Sequence, residues 1–431
     1  MSRLVIKNGT IVDPASGLME PRHVLCAEGY IRGVTTEVPS DWRDAEVLDA
    51  RGKWVIPGLV DLRAHVGEPG EEWKETLQSA QRAAAAGGFT TVFATPDSNP
   101  VNDCRAVTLE LMGRSHGWCL MPVGAATVGL KGEQLSEMGD LRHSGCEAFS
   151  TGEGPLPSAR MLRRVLEYLS TIGRPPLLTV AEDPSLASSA VIHEGAVSVR
   201  LGMKAVPAES EAIALFQIGT IAKLVGHRVH VQRLSTQMGL EVLRRLKEDG
   251  APITADVTPH HLWFTEDRVA SFDTSARVRP PLRSADDVQA LRNAVASGLI
   301  DAIATDHRPQ TSVEKALEFE YAHPGTTGLE TALPAVFELV HRGVLTPLQA
   351  VARMTTGPAA VAYDDVAKIA DGAFADLVVI DPETPRRVEA ARHYSKGRNC
   401  IFEGMSLTGV IDATIWRGHV VYPFPEPVDA W

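Results

Sequence analysis

The chain has 431 residues, 44% hydrophobic and 22% charged, a balance that suits a large folded domain with a smaller one beside it. Its net charge of −12, from 54 acidic against 42 basic residues, argues against the basic face that nucleic-acid binding requires. No apolar run reaches the roughly 18 residues of a membrane span, and no signal-peptide core opens the chain. The five cysteines (Cys26, Cys104, Cys119, Cys146, Cys400) are scattered without a CxxC pair. That pattern fits a reducing cytoplasm, with most of them packed as small hydrophobes.

In chain order, Leu4–Gly9, Thr10–Pro14 and Arg22–Cys26 read as short strands, with Asn-Gly and Asp-Pro-Ala-Ser-Gly as turn signals. Similar patterns return at Ala375–Asp381 and Ala413–Tyr422. Isolated strands at both ends need each other to bury a face, so one small β domain is expected from residues 1–56 and 366–431. Between them, over 57–365, eight apolar runs bounded by turns follow: Val55–Leu62, Phe89–Thr95, Trp118–Val123, Glu147–Ser150, Leu177–Ala181, Arg228–Leu234, Ile253–Val257 and Ile300–Thr305. Amphipathic helical patterns separate most of them, among them Lys74–Ala86, Ala159–Ile172, Glu209–Val225, Met238–Glu248 and Ala285–Ala296. Eight buried strands alternating with helices predict an α/β fold, a (β/α)8 TIM barrel carrying a small β-sandwich domain. The competing doubly wound sheet lacks a Gly-x-Gly-x-x-Gly turn after any strand.

Chemistry in such a barrel sits at the C-terminal strand ends. Here these read Arg63-Ala-His65, Thr95-Pro-Asp97, Ser150-Thr151-Gly-Glu153, Thr179-Val180-Ala-Glu182-Asp183, His230-Val-Gln-Arg233, Val257-Thr-Pro-His260-His261 and Thr305-Asp306-His307-Arg-Pro-Gln310. Together with Ala84-Ala-Ala-Gly-Gly-Phe-Thr-Thr91, Pro280-Pro-Leu-Arg283, Gly328-Leu-Glu-Thr331, Gly372-Ala-Phe-Ala-Asp-Leu-Val-Val379 and Ser395-Lys396, they carry a resemblance over nearly the whole chain. The chain resembles bacterial dihydroorotases of the amidohydrolase superfamily, which implies a (β/α)8 barrel of amidohydrolase type.

The resemblance also implies hydrolysis or closure of a cyclic amide, with zinc activating a water. Its motifs map onto this chain with many replacements. The family's Asp-Leu-His-x-His-x-Arg-Glu-Pro-Gly puts Arg63 at the first histidine, His65 at the second and Gly67 at the arginine that grips substrate. The bridging aspartate falls on Thr151, although a one- or two-residue shift brings in Glu153. Two further metal histidines fall on Val180 and Arg233, and the proton-shuttling aspartate survives as Asp306. Of the substrate contacts, His307 is retained, while two asparagines become Asp97 and Arg279. The last histidine of Asp-His-Ala-Pro-His becomes Gln310.

His65 and Asp306 alone remain of six ligand positions, fewer than the three protein ligands of an open zinc site. Arginine also brings permanent positive charge to the place of the dication. The expectation is therefore a guanidinium, from Arg63 or Arg233, standing in for zinc as counter-charge to Asp306. Packing roles are the commoner fate of residues such as His65, His230, His260, His261 and His307. The expected function is that of a pseudoenzyme, a non-catalytic dihydroorotase-like protein of cytoplasmic pyrimidine biosynthesis with no cofactor. By family analogy it is a scaffold or partner of aspartate carbamoyltransferase in a homo- or hetero-oligomer, with neither nucleic acid nor membrane as partner. The alternative is an active cyclic amidohydrolase with a rearranged single-zinc site. Asp97 is expected to repel an anionic substrate.

Overall fold

A computed structural model describes residues 3–115, 120–156, 158–362 and 367–424. Eight parallel strands form the barrel in sequential order: Leu59–Ala64, Phe89–Ala94, Leu120–Ala125, Ala148–Ser150, Leu177–Val180, Val229–Gln232, Ile253–Val257 and Ala302–Ile303. A parallel bridge between Ala64 and His307 joins the first strand end to the chain just after the eighth. The His65 amide donates to the His307 carbonyl there, at 2.8 Å. The strands are buried on both faces, as their continuous apolar runs require. Outer-face residues such as Phe89 and Leu177 pack on the helices, while Val60, Leu62, Phe93, Val123 and Ala304 fill the inside.

The helices start and stop where side-chain chemistry dictates. Thr76 caps Leu77–Ala86, Ser158 caps Ala159–Leu169, Thr236 caps Gln237–Glu248 and Ser284 caps Ala285–Ser297. Gly226, left-handed at φ 68°, ends Ala208–Val225.

The second sheet has eight strands and draws on both chain ends, with Trp54–Pro57 pairing antiparallel to Leu377–Arg387. The run Val55–Leu62, expected as one barrel strand, is two. Trp54–Pro57 belongs to this sheet and Leu59–Ala64 to the barrel, with Gly58 between them. A Cβ on Gly58 would stand 2.1 Å from the Thr90 hydroxyl, so only glycine permits that crossing. Leu4–Gly9 and Thr10–Pro14 are not a hairpin either. They form the continuous strand Arg3–Asp13, in which Asn8 (φ 63°) sits at a bulge rather than a turn. The expected boundary at 365/366 and the start of the run Trp118–Val123 lie outside the described residues.

Candidate functional site

Barrel closure gathers the strand ends into a compact cluster of ion pairs. Arg63, 1% exposed, donates from Nε to Asp306 Oδ1 at 2.8 Å, from Nη1 to Gln232 Oε1 at 2.8 Å, and from Nη2 to Glu153. Arg233 reaches Glu153 Oε2 at 3.1 Å and Asp306 Oδ1 at 3.4 Å. Arg308 bridges Asp97 Oδ2, at 2.9 Å, and Glu153. Three guanidiniums thus meet three carboxylates, and their charges balance.

Burial opposes ionisation of Glu153, but Arg233, Arg308 and Arg63 outweigh it and hold the carboxyl well below its usual range. Asp97 follows the same logic: burial is overcome by Arg308 and by His65, keeping it ionised. Burial works against the charge on Arg63 too, yet Glu153 and Asp306 keep it firmly protonated. Arg233 (φ 60°) and Asp306 (φ 48°) both hold left-handed backbone, a strained choice for such residues that packing at the strand ends sustains.

The remaining predicted positions are spread around this cluster. His65 is buried, with Nε2 on Glu71 Oε2 at 2.7 Å and Nδ1 3.8 Å from Asp97. Glu71 also accepts from Lys74, at 2.7 Å, and the hydrogen bond from His65 pulls its pKa down to about 2. The Thr151 hydroxyl meets that of Thr179 at 3.0 Å, and Val180 offers only hydrocarbon. Arg279 is turned to Glu182, Nε to Oε2 at 3.1 Å. His307 accepts the Gly328 amide at Nδ1 (3.1 Å), which leaves its Nε2 proton for Glu75 at 3.3 Å. His261 bonds Thr258 and the Pro280 carbonyl, and His230 bonds Thr254 and Asp256. His260 Nε2 is buried without a hydrogen-bond partner, and burial with Arg233 close by lowers its pKa to about 3. Gln310 donates to the Pro324 carbonyl at 2.9 Å.

Two expectations need correction. Asp97 does not present a bare repelling carboxylate, because Arg308 neutralises it. Glu153, rather than Thr151, supplies the fourth-strand carboxylate at the centre of the cluster, since the turn at Gly152 (φ 76°) swings it inward. Arg308 and Glu71 were not singled out by sequence reasoning. Arg308 left a signal: it stands where the motif Asp-His-Ala-Pro-His has alanine. Glu71 left none, because a carboxylate six residues after His65 has no distinctive spacing.

The donor set does not fit zinc. Positions that would supply imidazole or carboxylate hold Arg63, Thr151, Val180 and Arg233, and Asp306 is already paired with guanidinium. Among the described residues no group of three or more His, Cys, Asp or Glu side chains is placed to hold a metal ion.

A closed (β/α)8 barrel with a sheet domain built from both chain ends thus brings polar residues together at the C-terminal strand ends, where the chemistry of such barrels sits. Family models for dihydro-orotase-like proteins and for the amidohydrolase family match residues 52–238 and 208–421. The dihydroorotases of Anaeromyxobacter dehalogenans (strain 2CP-1) and Pelotomaculum thermopropionicum are each 44% identical, over 97% of this chain and 98% of theirs. Among solved structures, L-hydantoinase (dihydropyrimidinase) from Arthrobacter aurescens superimposes with a TM-score of 0.87 over 98% of this chain and 96% of its own, at 23% identity. The chain belongs to the dihydroorotase family of amidohydrolases.

No helix of the described residues is long and apolar enough to cross a membrane.

Proposed function

We propose that this chain is a non-catalytic member of the dihydroorotase family, with an ion-pair cluster standing where its relatives' chemistry would require a metal. The observation that carries this reading is the bond from Arg63 Nε to Asp306 Oδ1 at 2.8 Å. The carboxylate of the expected proton shuttle is thereby committed to a guanidinium that cannot release its proton near neutral pH. Gly67 supports the same reading. It lies at φ 74°, and a Cβ there would stand 2.2 Å from the Glu75 carbonyl oxygen, so this backbone has no room for the family's arginine. The proposed role is that of a partner for aspartate carbamoyltransferase in pyrimidine biosynthesis, which rests on the family resemblance alone.

The relatives, which are dihydroorotases by name, favour a second reading, an active dihydroorotase or related cyclic amidohydrolase. That reading needs Arg63 and Arg233 to withdraw and ligands to come from elsewhere. One experiment separates the two: dihydroorotase turnover by the purified protein in both directions, with zinc supplied and bound metal counted. The proposal expects neither turnover nor stoichiometric zinc; turnover with one zinc per chain overturns it. Co-purification of aspartate carbamoyltransferase with the tagged protein tests the partner role, and its failure at native expression levels counts against that role.

A further inference from the structure

Beside the barrel mouth lies a cavity of about 550 Å³, the size of a small-metabolite pocket. The loop after the fifth strand forms one wall, and the segment 277–281 forms the other. Arg277 lines it and has no counter-charge. Its Nε is buried without a hydrogen-bond partner, and no carboxylate among the described residues lies within ion-pair distance of its guanidinium. The basic groups around it leave that charge unbalanced. Lys315, half-buried nearby, spends its protons on the carbonyls of Thr274 and His323, each at 2.8 Å, and on that of Arg277. Burial, then the charge of Arg277, lowers the Lys315 pKa to about 7. Arg279 is already neutralised by Glu182, and the Lys204 ammonium on the rim donates to the Ser189 hydroxyl, at 3.1 Å. Glu320, also on the rim, is exposed and makes no ion pair with Arg277.

Arg277 is half-buried, and its Nε is closed off from water with no acceptor, so an anion entering the cavity would supply both a hydrogen-bond acceptor and a counter-charge. We propose that this cavity is a binding site for a small organic oxyanion, a carboxylate or phosphate monoester, whose charged head pairs with Arg277. The planar fork of Arg277 suits bidentate contact with either head group. Val191, Val206, Val278 and Pro281 supply apolar wall for an organic body, and the exposed Tyr321 stands at the opening. The site does not depend on whether the barrel mouth is catalytic. Arg277 takes no part in the cluster around Asp306, and the Glu182–Arg279 pair separates the two.

The test is isothermal titration of the full chain with phenyl phosphate and with phenylacetate, at ionic strength held constant with chloride. Saturable binding of either one is expected, weakened at least tenfold by Arg277→Gln, and the stronger binder identifies the head group. Absence of binding by both, or equal binding by wild type and Arg277→Gln, overturns the site. If that variant does not fold, arginine modification by phenylglyoxal replaces it, read by peptide mass spectrometry on the wild type. Protection of Arg277 by phenyl phosphate or phenylacetate beyond that of the exposed arginines supports the proposal, and equal labelling with and without them refutes it.

Discussion

Replacing Arg63 with methionine tests the ion-pair cluster most directly. Methionine keeps much of the side-chain volume and removes the charge. Asp306 then keeps only Arg233, at 3.4 Å, and Gln232 Oε1 loses its donor. Three charge-assisted hydrogen bonds at about 1.5–3 kcal/mol each set an upper bound. The net loss is smaller, because Glu153 keeps Arg233 and Arg308 and is 23% exposed to water. Breaking a buried pair from one side costs about 3–5 kcal/mol, and that is the expected destabilisation. The partner variant Asp306→Leu should cost a similar amount. The double variant should recover at least about 2 kcal/mol of the summed loss, because it leaves neither charge stranded. Equilibrium urea unfolding, followed by tryptophan fluorescence and far-UV circular dichroism, reads these differences where the two probes coincide. A cost under about 1 kcal/mol for Arg63→Met, or strictly additive single losses, would refute the claim that the pair replaces a metal as the counter-charge of the barrel mouth.

Other consequences follow from the same geometry. Gly67→Arg should not restore the family's substrate grip and should destabilise by at least about 2 kcal/mol, because φ is 74° and the Cβ meets backbone; a stability unchanged in urea contradicts this. His260 has a folded pKa of about 3, below its unfolded value. The unfolded chain therefore takes up the proton first, and stability present above about pH 6.5 is lost as pH falls towards about 3. His260→Gln should flatten the stability profile across that window, and an unchanged slope counts against the assignment. Glu71 gives a lower window: its stabilisation is full above its unfolded pKa near 4.5 and is lost as pH falls to about 2, so Glu71→Gln should remove dependence only there. His307→Leu strands the buried Glu75 carboxylate, which also holds Ser395 and the Lys396 amide. Faster proteolysis around residues 395–399, with the barrel core still protected, is the expected result, and an unaltered cleavage pattern argues against the clamp.

Much of the barrel was legible in the chain because local signals determine it. Apolar runs such as Phe89–Thr95 and Ile253–Val257 coincide with strands, since both faces of a parallel strand are buried and the pattern is continuous. The capped helices coincide for the same reason, as Ser284 with Asp287 shows by closing a capping box. The run Val55–Leu62 failed because two strands with equal apolar character abut at Gly58, and hydrophobicity does not record which sheet a residue joins. The arginines at 63 and 233 could likewise be read as replacements of imidazole from motif order alone.

What those arginines bind was decided only by tertiary structure. Arg63 and Asp306 stand 243 residues apart and meet because the Ala64–His307 bridge closes the barrel. Glu153 became the centre of the cluster through one glycine turn, and Arg308 entered it from the loop after the last strand. Arg277, two residues from the recognised Arg279, became notable only once the fold left it without a carboxylate. Periodicity is a property of neighbouring residues and survives in the sequence. Charge pairing across a barrel depends on strand stagger and side-chain reach, which exist only after the chain has closed.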